Sequence, residues 1–459
     1  MMPKGTAARR FREFRTTQGG VQLAQRGESH ELPHDASPTV FVERAHAVRL
    51  RIDDLGQRRL AERWHSGARI EYCGPYVDEE FYCDSLDDAD VVLAAAGAAR
   101  AGVVVEDELR HVVLLAREAR WPNEQAADAA RDLASAASDR LAELAQSSHW
   151  EVTAHLSQRL VSVWHEEGAI LLPRSFCRLS VAVDGVNDGG HATHRWVEPS
   201  DAPDQHAIDS VVADALEQSE RLRTAEPSRP CILPAVLAPD AASAVTHELV
   251  GHLLEADNWE TARGFLGDRP NLGPSCLNVT ESASAGHGWG AFQRDDEGMP
   301  TLSTPLVRNG EIVDQLLNKR HAAVRGSRSS GHGIRASHRD PAIPRFGRLE
   351  TEPSAIPSSA LIADMTDGIF IHSISSGEVS PKTGRVVLRI REAWDIEHGR
   401  RTAIRRGGTI VLDARNAFDG LIAVGDDLTW FNVLCRKQGQ DIPVADGAPS
   451  FFFSSLPIS

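Results

Sequence analysis

Two imidazoles and a carboxylate held close together can bind a metal ion and move a proton, and the run His247-Glu248-Leu249-Val250-Gly251-His252 carries all three. The H-E-x-x-H helix of zinc proteases sets its two histidines one turn apart on one face, with the glutamate beside them as general base. Here the separation is five positions rather than four. At roughly 100° per residue, positions five apart on a regular α-helix point about 140° away from each other, so both cannot grip one ion without distortion. A π-bulge or local unwinding next to His252 is therefore expected, with Gly251 tolerating it through unusual dihedrals. The alternative is a helix with one buried, hydrogen-bonded histidine and one exposed one.

The flanking sequence must position these side chains. The apolar run from Ile232 to Leu237 reads as a strand, which Pro234 would confine to a sheet edge. A turn at Ala238-Pro239-Asp240 follows, with Asp240 placed to cap the helix that runs into His247. That helix must have ended by the Gly-rich segment Gly264 to Gly267. Glu255 lies three residues after His252 and shares its helix face, which makes it a rival metal ligand. Its favoured role is to orient an imidazole from outside the ligand set. His287, His321, His332, His338 and His372 show no paired ligand spacing and read as surface or locally hydrogen-bonded histidines.

Far downstream, residues 435–444 read C-R-K-Q-G-Q-D-I-P-V. Together with H-E-L-V-G-H-L-L-E-A-D at 247–257, this segment resembles the TldD/PmbA family of zinc metallopeptidases, in which a cysteine in C-G-K-x-G-Q-x-V-P-V completes the metal site. Further stretches match the family in order: D-D-E-G-M-P at 295–300, V-R-N-G-E-I at 307–312, D-M-T-D-G-I-F-I-H at 364–372, G-E-V-S at 377–380 and R-E-A-W-D-I-E-H-G-R at 391–400. The similarity covers about Arg229 to Pro449 and, more faintly, the N-terminal half. Arg436 replaces the usual Gly after the cysteine, and Leu253 a common Gly after the second histidine. Both changes are expected on the walls of the site, where they bear on substrate choice more than on metal binding.

The resemblance implies zinc (Zn²⁺) held by His247, His252 and Cys435, with Glu248 as the catalytic residue. Two imidazoles and a thiolate leave a fourth position for water, the arrangement of a catalytic rather than a structural site. Zinc lowers the pKa of its water toward about 7, and Glu248 is placed to take and return a proton. Arg436 and Lys437 are expected to favour the Cys435 thiolate. The chain keeps the His-Glu-His set, so it resembles the catalytic, TldD-like type of subunit. The implied fold is α+β: an α/β N-terminal domain, a β-rich C-terminal metallopeptidase domain, and a dimer enclosing the active site. That dimer is a homodimer or a heterodimer with an inactive family relative. The implied activity is hydrolysis of peptide or peptide-like amide bonds in unfolded peptides or natural-product intermediates. A zinc-stabilised partner or scaffolding subunit without turnover is the alternative.

Composition agrees with an enzyme of this kind. A chain of 459 residues suggests two or three domains. Its net charge of -16 gives no electrostatic footprint for DNA or RNA, so a direct nucleic-acid role is disfavoured. Six scattered cysteines without C-x-x-C pairs fit a reducing cytoplasm rather than a secreted disulfide framework. No apolar run reaches the roughly 18 residues of a membrane-spanning helix, so no membrane contact is expected. Four Lys against 45 Arg suggest a GC-rich bacterial genome, a setting in which natural product biosynthesis is common.

Residues 1–35 read as a disordered basic tail, 36–228 as the N-terminal domain and 229–459 as the C-terminal domain, divided by the Pro-containing stretch from Arg223 to Pro230. In the first domain, Val48 to Ile52, Arg69 to Tyr72, Ile170 to Leu172 and Leu179 to Val183 read as strands, and Ala126 to Leu144 as a helix. Asp184 to Gly190 carries turn chemistry. Ile208, Val211, Val212, Ala215 and Leu216 form a helical stripe expected in the core. In the second domain, Ile369 to Ile374, Arg385 to Ile390 and Thr409 to Leu412 read as strands, and Phe451-Phe452-Phe453 as core or subunit contact.

Overall fold

The computed structural model describes residues 37–74, 77–84, 106–121, 124–145, 148–165, 168–183, 191–197, 205–267, 271–286 and 288–459, with Leu86 and short strands between Arg10 and Gln22. In the N-terminal half, β1 (Arg10–Glu13), β2 (Ser37–Asp53), β3 (Arg58–Gly74), β4 (Val77–Cys83), β5 (Trp150–His165), β6 (Gly168–Val183) and β7 (His191–Val197) form one sheet in the order β1-β4-β3-β2-β5-β6-β7. All neighbours pair antiparallel except β1 and β4. Within the stretch read as a disordered tail, β1 thus joins the sheet, and Arg15–Thr17 pairs with Gly20–Gln22. The rest of that tail, and the turn at Asp184 to Gly190, lie outside the described residues.

The strands are far longer than the sequence pattern suggests. Val48 to Ile52 is the last third of β2, and Ile170 to Leu172 and Leu179 to Val183 belong to one strand, β6. The alternation is broken because charged residues are buried in mid-strand: Glu43 of β2 is fully covered and takes two hydrogen bonds from Arg159 of β5. Ion pairing replaces apolar packing there, so the hydrophobic signal stops while the strand continues.

Among the described residues three helices accompany this sheet: α1 (Glu106–Glu118), α2 (Ala126–Leu144) and α3 (Gln205–Thr224). The buried face of α2 is mostly alanine, with Leu133 and Leu141, and such small residues let the helix lie close against the strands. The stripe Ile208, Val211, Val212 and Ala215 of α3 is buried in the same core, with Leu216 packed at its margin.

The C-terminal half is strand-rich, giving a mixed α+β chain overall. The elements that bear on the site and its sheets are β8 (Cys231–Leu237), α4 (Pro239–Thr246), α5 (Ala256–Leu266), β9 (Val279–Glu281), β10 (Thr304–Arg308), β11 (Arg348–Thr351), β12 (Asp367–Val379), β13 (Arg385–Glu397), β14 (Arg400–Arg406), β15 (Thr409–Asp413), β16 (Thr429–Lys437), β17 (Gln440–Ala448) and β18 (Phe451–Ile458). One sheet runs Glu226–Pro227, β14, β13, β12, β8, β18, β15, with Leu421–Val424 also paired to β18. The other runs Glu311–Ile312, β10, β9, β11, β17, β16. Helix α4 packs on β12 of the first and on β16 and β17 of the second, so its residues stand where both sheets meet.

Two expectations fail here for physical reasons. Strand β8 is interior, between β12 and β18, despite Pro234. The register with β18 shifts between Leu233 and Ala235, and pairing with β12 begins only at Ala235, so neither neighbour needs the missing N–H. Asp240 does not cap α4. Ala238 is the N-cap with Pro239 in the first turn, while the Asp240 carboxylate accepts from the Ile374 N–H of β12 at 2.8 Å.

Phe451 and Phe453 are fully buried in the main core, and Phe452 packs on the other side of β18. The two halves interlock through buried ion pairs. Arg335, 0% exposed, bonds Glu71 of β3, and His338 bonds Glu43 of β2. Among the described residues no helix is long and apolar enough to cross a membrane.

Candidate metal centre

Alanine-rich α4 buries Ala241, Ala242 and Val245 completely and delivers the chain to His247 inside the core. There the helix changes pitch. His247–Gly251 is a π-helical turn, closed by the His252 N–H to the His247 carbonyl at 3.0 Å. A bond from i+5 to i sets His252 one turn above His247, which a regular α-helix denies to residues five apart. The imidazole centroids are 4.9 Å apart.

The expected distortion is therefore present, but Gly251 serves it differently. Its φ is not positive, so left-handed freedom is not used. Instead a Cβ at Gly251 would stand 2.6 Å from Cε1 of Phe346, a buried ring packed edge-on against His247 at 4.9 Å and His252 at 5.6 Å. After the π turn the chain leaves the helix at Glu255 and re-enters α5, which ends at Gly267 with φ +65°. Gly264 lies inside α5, not at its end.

Cys435 arrives from β16. Its Sγ lies 3.3 Å from Nε2 of His247 and 3.2 Å from Nε2 of His252. Each imidazole has its other nitrogen tied to a carboxylate: Nδ1 of His247 to Asp446 of β17 at 2.8 Å, and Nδ1 of His252 to Glu255 at 2.9 Å. These bonds place each Nδ1 against a carboxylate and aim each Nε2 at Cys435. Glu255 is wholly buried and accepts from Lys437 Nζ at 2.8 Å; Lys437 also reaches Asp257. Glu255 thus faces the back of an imidazole, away from the Nε2–Sγ cluster.

The electrostatics follow from burial and these neighbours. Burial alone would raise the Cys435 thiol, but the two imidazoles outweigh it and hold the thiol well below its usual range. Burial would depress His247, yet Asp446 and Cys435 carry it well above its ordinary value; Cys435 and Glu255 likewise bring His252 to about 9. Burial would also raise Glu255, but Lys437 and His252 bring it to about 2. Arg436 does not stabilise the thiolate as expected. Its side chain is exposed and paired with Asp441, while Lys437 is spent on Glu255 and Asp257.

Glu248 is buried, and burial raises its carboxyl despite the nearby imidazoles. Among the described residues it makes no hydrogen bond or ion pair, and it lines a cleft of about 630 Å³ with His247, His252, Cys435 and Ser375 to Val379 of β12. A Cβ at Gly377 would stand 3.0 Å from its Oε1, so this glycine makes room for the carboxylate. Of the two departures from the family pattern, Arg436 lines the cleft, whereas Leu253 is 1% exposed in the core and is no wall residue.

Three of the other histidines are buried and hydrogen-bonded, rather than on the surface: His321 locally to Asn318, His332 to Ser330 and across the fold to Glu281, and His338 across the fold to Glu43 and Asp84. His372 is half-buried beside Phe370, and His287 lies outside the described residues. A second trio, Glu43, His65 and His338, also brings ligand atoms together, but Glu43 is already engaged by Arg159 and the His338 backbone. Sequence reasoning missed Asp446 and Phe346, and it met Gly377 only as part of the G-E-V-S stretch, without its role beside Glu248. For Asp446 the only signal was its place in the strand following Cys435.

The donor set of two oriented imidazoles and one thiolate suits a borderline-soft cation such as zinc. The chain matches the PmbA/TldA metallopeptidase C-terminal domain over residues 230–459. It is 26% identical over 232 residues to the metalloprotease TldD homolog of Haemophilus influenzae, covering 50% of this chain and 48% of that protein. It is 24% identical over 228 residues to the zinc metalloprotease TldD homolog of Saccharolobus solfataricus, covering 49% and 51%. The chain spans about half the length of the curated relatives it matches. In fold it resembles TldE from Thermococcus kodakarensis, with a TM-score of 0.68 at 14% identity over 92% of this chain and 96% of that one. Matched by the family model from residue 230 to residue 459, the chain belongs to the TldD/PmbA metallopeptidase family.

Proposed function

We propose that this chain hydrolyses peptide or peptide-like amide bonds with a zinc ion held by His247, His252 and Cys435. One observation carries the reading: both Nε2 atoms and Sγ converge beside Glu248, a buried carboxylate that makes no hydrogen bond or ion pair among the described residues. A carboxylate that faces the cleft without a protein partner is free to act on what enters it. The residues suit the ion, because Asp446 and Glu255 pre-set the imidazoles and the imidazoles favour the thiolate.

When bound, zinc supplies Lewis acidity toward a carbonyl and makes a water acidic enough to attack near neutral pH. The protein's own part is proton handling and placement. Glu248 takes a proton from the attacking water; its raised proton affinity lets it hold that proton and pass it to the departing amine. Asp446 and Glu255 keep the imidazoles from rotating, and Lys437 keeps Glu255 charged. The cleft admits a flexible chain or a small amide and excludes a folded domain. A dimer, of two copies or with an inactive relative, would enclose it further, and the few cysteines suit action in a reducing cytoplasm.

The test is zinc content and hydrolysis of a mixed peptide library for the wild type, Glu248→Gln and Cys435→Ser. Metal in the first two, turnover only in the wild type and metal loss in the third are expected. A wild type that binds zinc and cleaves nothing, alone or with a family partner, would instead favour a scaffolding subunit.

A further inference from the structure

A second chamber of about 820 Å³ adjoins the cleft, and the two share Asp240, Ile374, Ser375, Phe431, Val433 and Leu434. One wall comes from the N-terminal half, with Arg178 of β6 and Asp214 and Gln218 of α3; the other brings Ser373 of β12 and Arg391 of β13. The guanidinium groups of Arg69, Arg159 and Arg335 each pair with a carboxylate, whereas Arg178 and Arg391, both partly exposed, have no ion pair among the described residues.

Three buried polar atoms in residues lining the chamber also lack a hydrogen-bond partner: Nε of Arg178, Oε1 of Gln218 and Oγ of Ser373. Gln218 is 7% and Ser373 5% exposed. Of the three atoms, the Arg178 Nε–H and the Ser373 hydroxyl can donate to an anion that arrives from outside, whereas Oε1 of Gln218 calls for a donor. No carboxylate nearby bonds either arginine: Asp240, whose charge Arg391 favours across space, accepts from the Ile374 N–H, Asp214 is exposed, and Asp441, which attracts Arg178, is paired with Arg436.

We propose that this chamber receives a carboxylate of the substrate, gripped by Arg178 and Arg391 with the Ser373 hydroxyl. The assignment rests on the hydrolase reading and adds a specificity determinant to it. Gly377, beside Glu248, lies four residues along β12 from Ser373, so the carboxylate sits about 13 Å from the reacting centre at about 3.3 Å per residue. An extended peptide spans that with about four residues. The carboxylate is either the C-terminus of a short peptide or an Asp or Glu side chain.

The experiment uses zinc-loaded protein and peptide pools made in pairs: free acid against C-terminal carboxamide, and Asp or Glu against Asn or Gln. Cleavage is followed by mass spectrometry in the wild type, Arg178→Gln and Arg391→Gln. Binding of the same pools, fluorescently labelled, is followed on Glu248→Gln. Carboxylate members should be cleaved and bound about tenfold better than their neutral twins, and either arginine variant should bring that ratio close to one. The pair that discriminates identifies the source, C-terminus or side chain. Equal use of acid and amide by the wild type, or a preference that survives in both arginine variants, overturns the proposal. The wild-type ratio decides even where a variant fails to fold. Selective binding without turnover would keep the chamber and sink the hydrolase reading; turnover without preference would do the reverse.

Discussion

Gly251→Ala probes the link between backbone pitch and the metal centre. The added methyl would lie 2.6, 3.0 and 3.1 Å from Cε1, Cζ and Cδ1 of Phe346, where ordinary carbon contacts begin near about 3.5 Å. Phe346 is 0% exposed and its ring rests on both imidazoles, so relief of the clash must move the ring toward His247 and His252. Overpacking of this kind costs about 1–3 kcal/mol, and a ring without a free side belongs at the upper end. Alanine returns about 1 kcal/mol as the better helix former, leaving about 2 kcal/mol of net destabilisation. For a unit of this size that lowers Tm by about 4–8 °C. Calorimetry and zinc competition against a chelator would be run on Gly251→Ala, Phe346→Leu and the double variant. The trimmed side chain should recover most of the loss, giving a coupling of about 1–3 kcal/mol, and zinc affinity should fall and recover in parallel. Additive effects of the two substitutions, or unchanged stability and zinc affinity in Gly251→Ala, would refute the steric account.

Other consequences follow from the same contacts. Asp446→Asn should weaken zinc binding by about 10–100-fold while the fold stays intact, read by chelator competition. Gly377→Ala crowds Oε1 of Glu248 and Cδ2 of Leu388, so kcat should drop with zinc content unchanged. Burial alone would raise the Glu71 carboxyl, but Arg335 and Arg69 outweigh it and bring it to about 2. The charged carboxylate therefore stabilises the fold above its ordinary value of 4.5 by about 3 kcal/mol, and this is lost as the pH falls toward 2. Glu71→Gln should lower stability at neutral pH and flatten the acid limb of a Tm-against-pH curve.

The clustering of His247 with His252 was legible because their spacing was wrong for a plain helix. Five positions between His247 and His252 permit a shared ion only if the helix is over-wide, and the π turn supplies that. The cause assigned to Gly251 did not carry over, because the Phe346 ring above it is almost a hundred residues away in sequence. Asp446 was invisible for a similar reason: only the β16–β17 hairpin, pairing Cys435 with Ile442, brings it behind His247. The Cys435 thiolate was credited to its chain neighbours, whereas alternation along β16 sends Arg436 outward and the imidazoles do the stabilising. In the N-terminal sheet, buried charges such as Glu43 hid the length of the strands. Where local apolar periodicity alone decides, as in α2 and the α3 stripe, the sequence reading and the structure agree.

The central claim is that His247, His252 and Cys435 together hold zinc, and a zinc-edge X-ray absorption spectrum tests it most directly. The account predicts one sulfur at about 2.3 Å and two imidazole nitrogens at about 2.0–2.1 Å in the wild type and in Glu248→Gln. The sulfur scattering should disappear in Cys435→Ser. A wild-type shell of nitrogen and oxygen alone, or a sulfur that persists in Cys435→Ser, would contradict it.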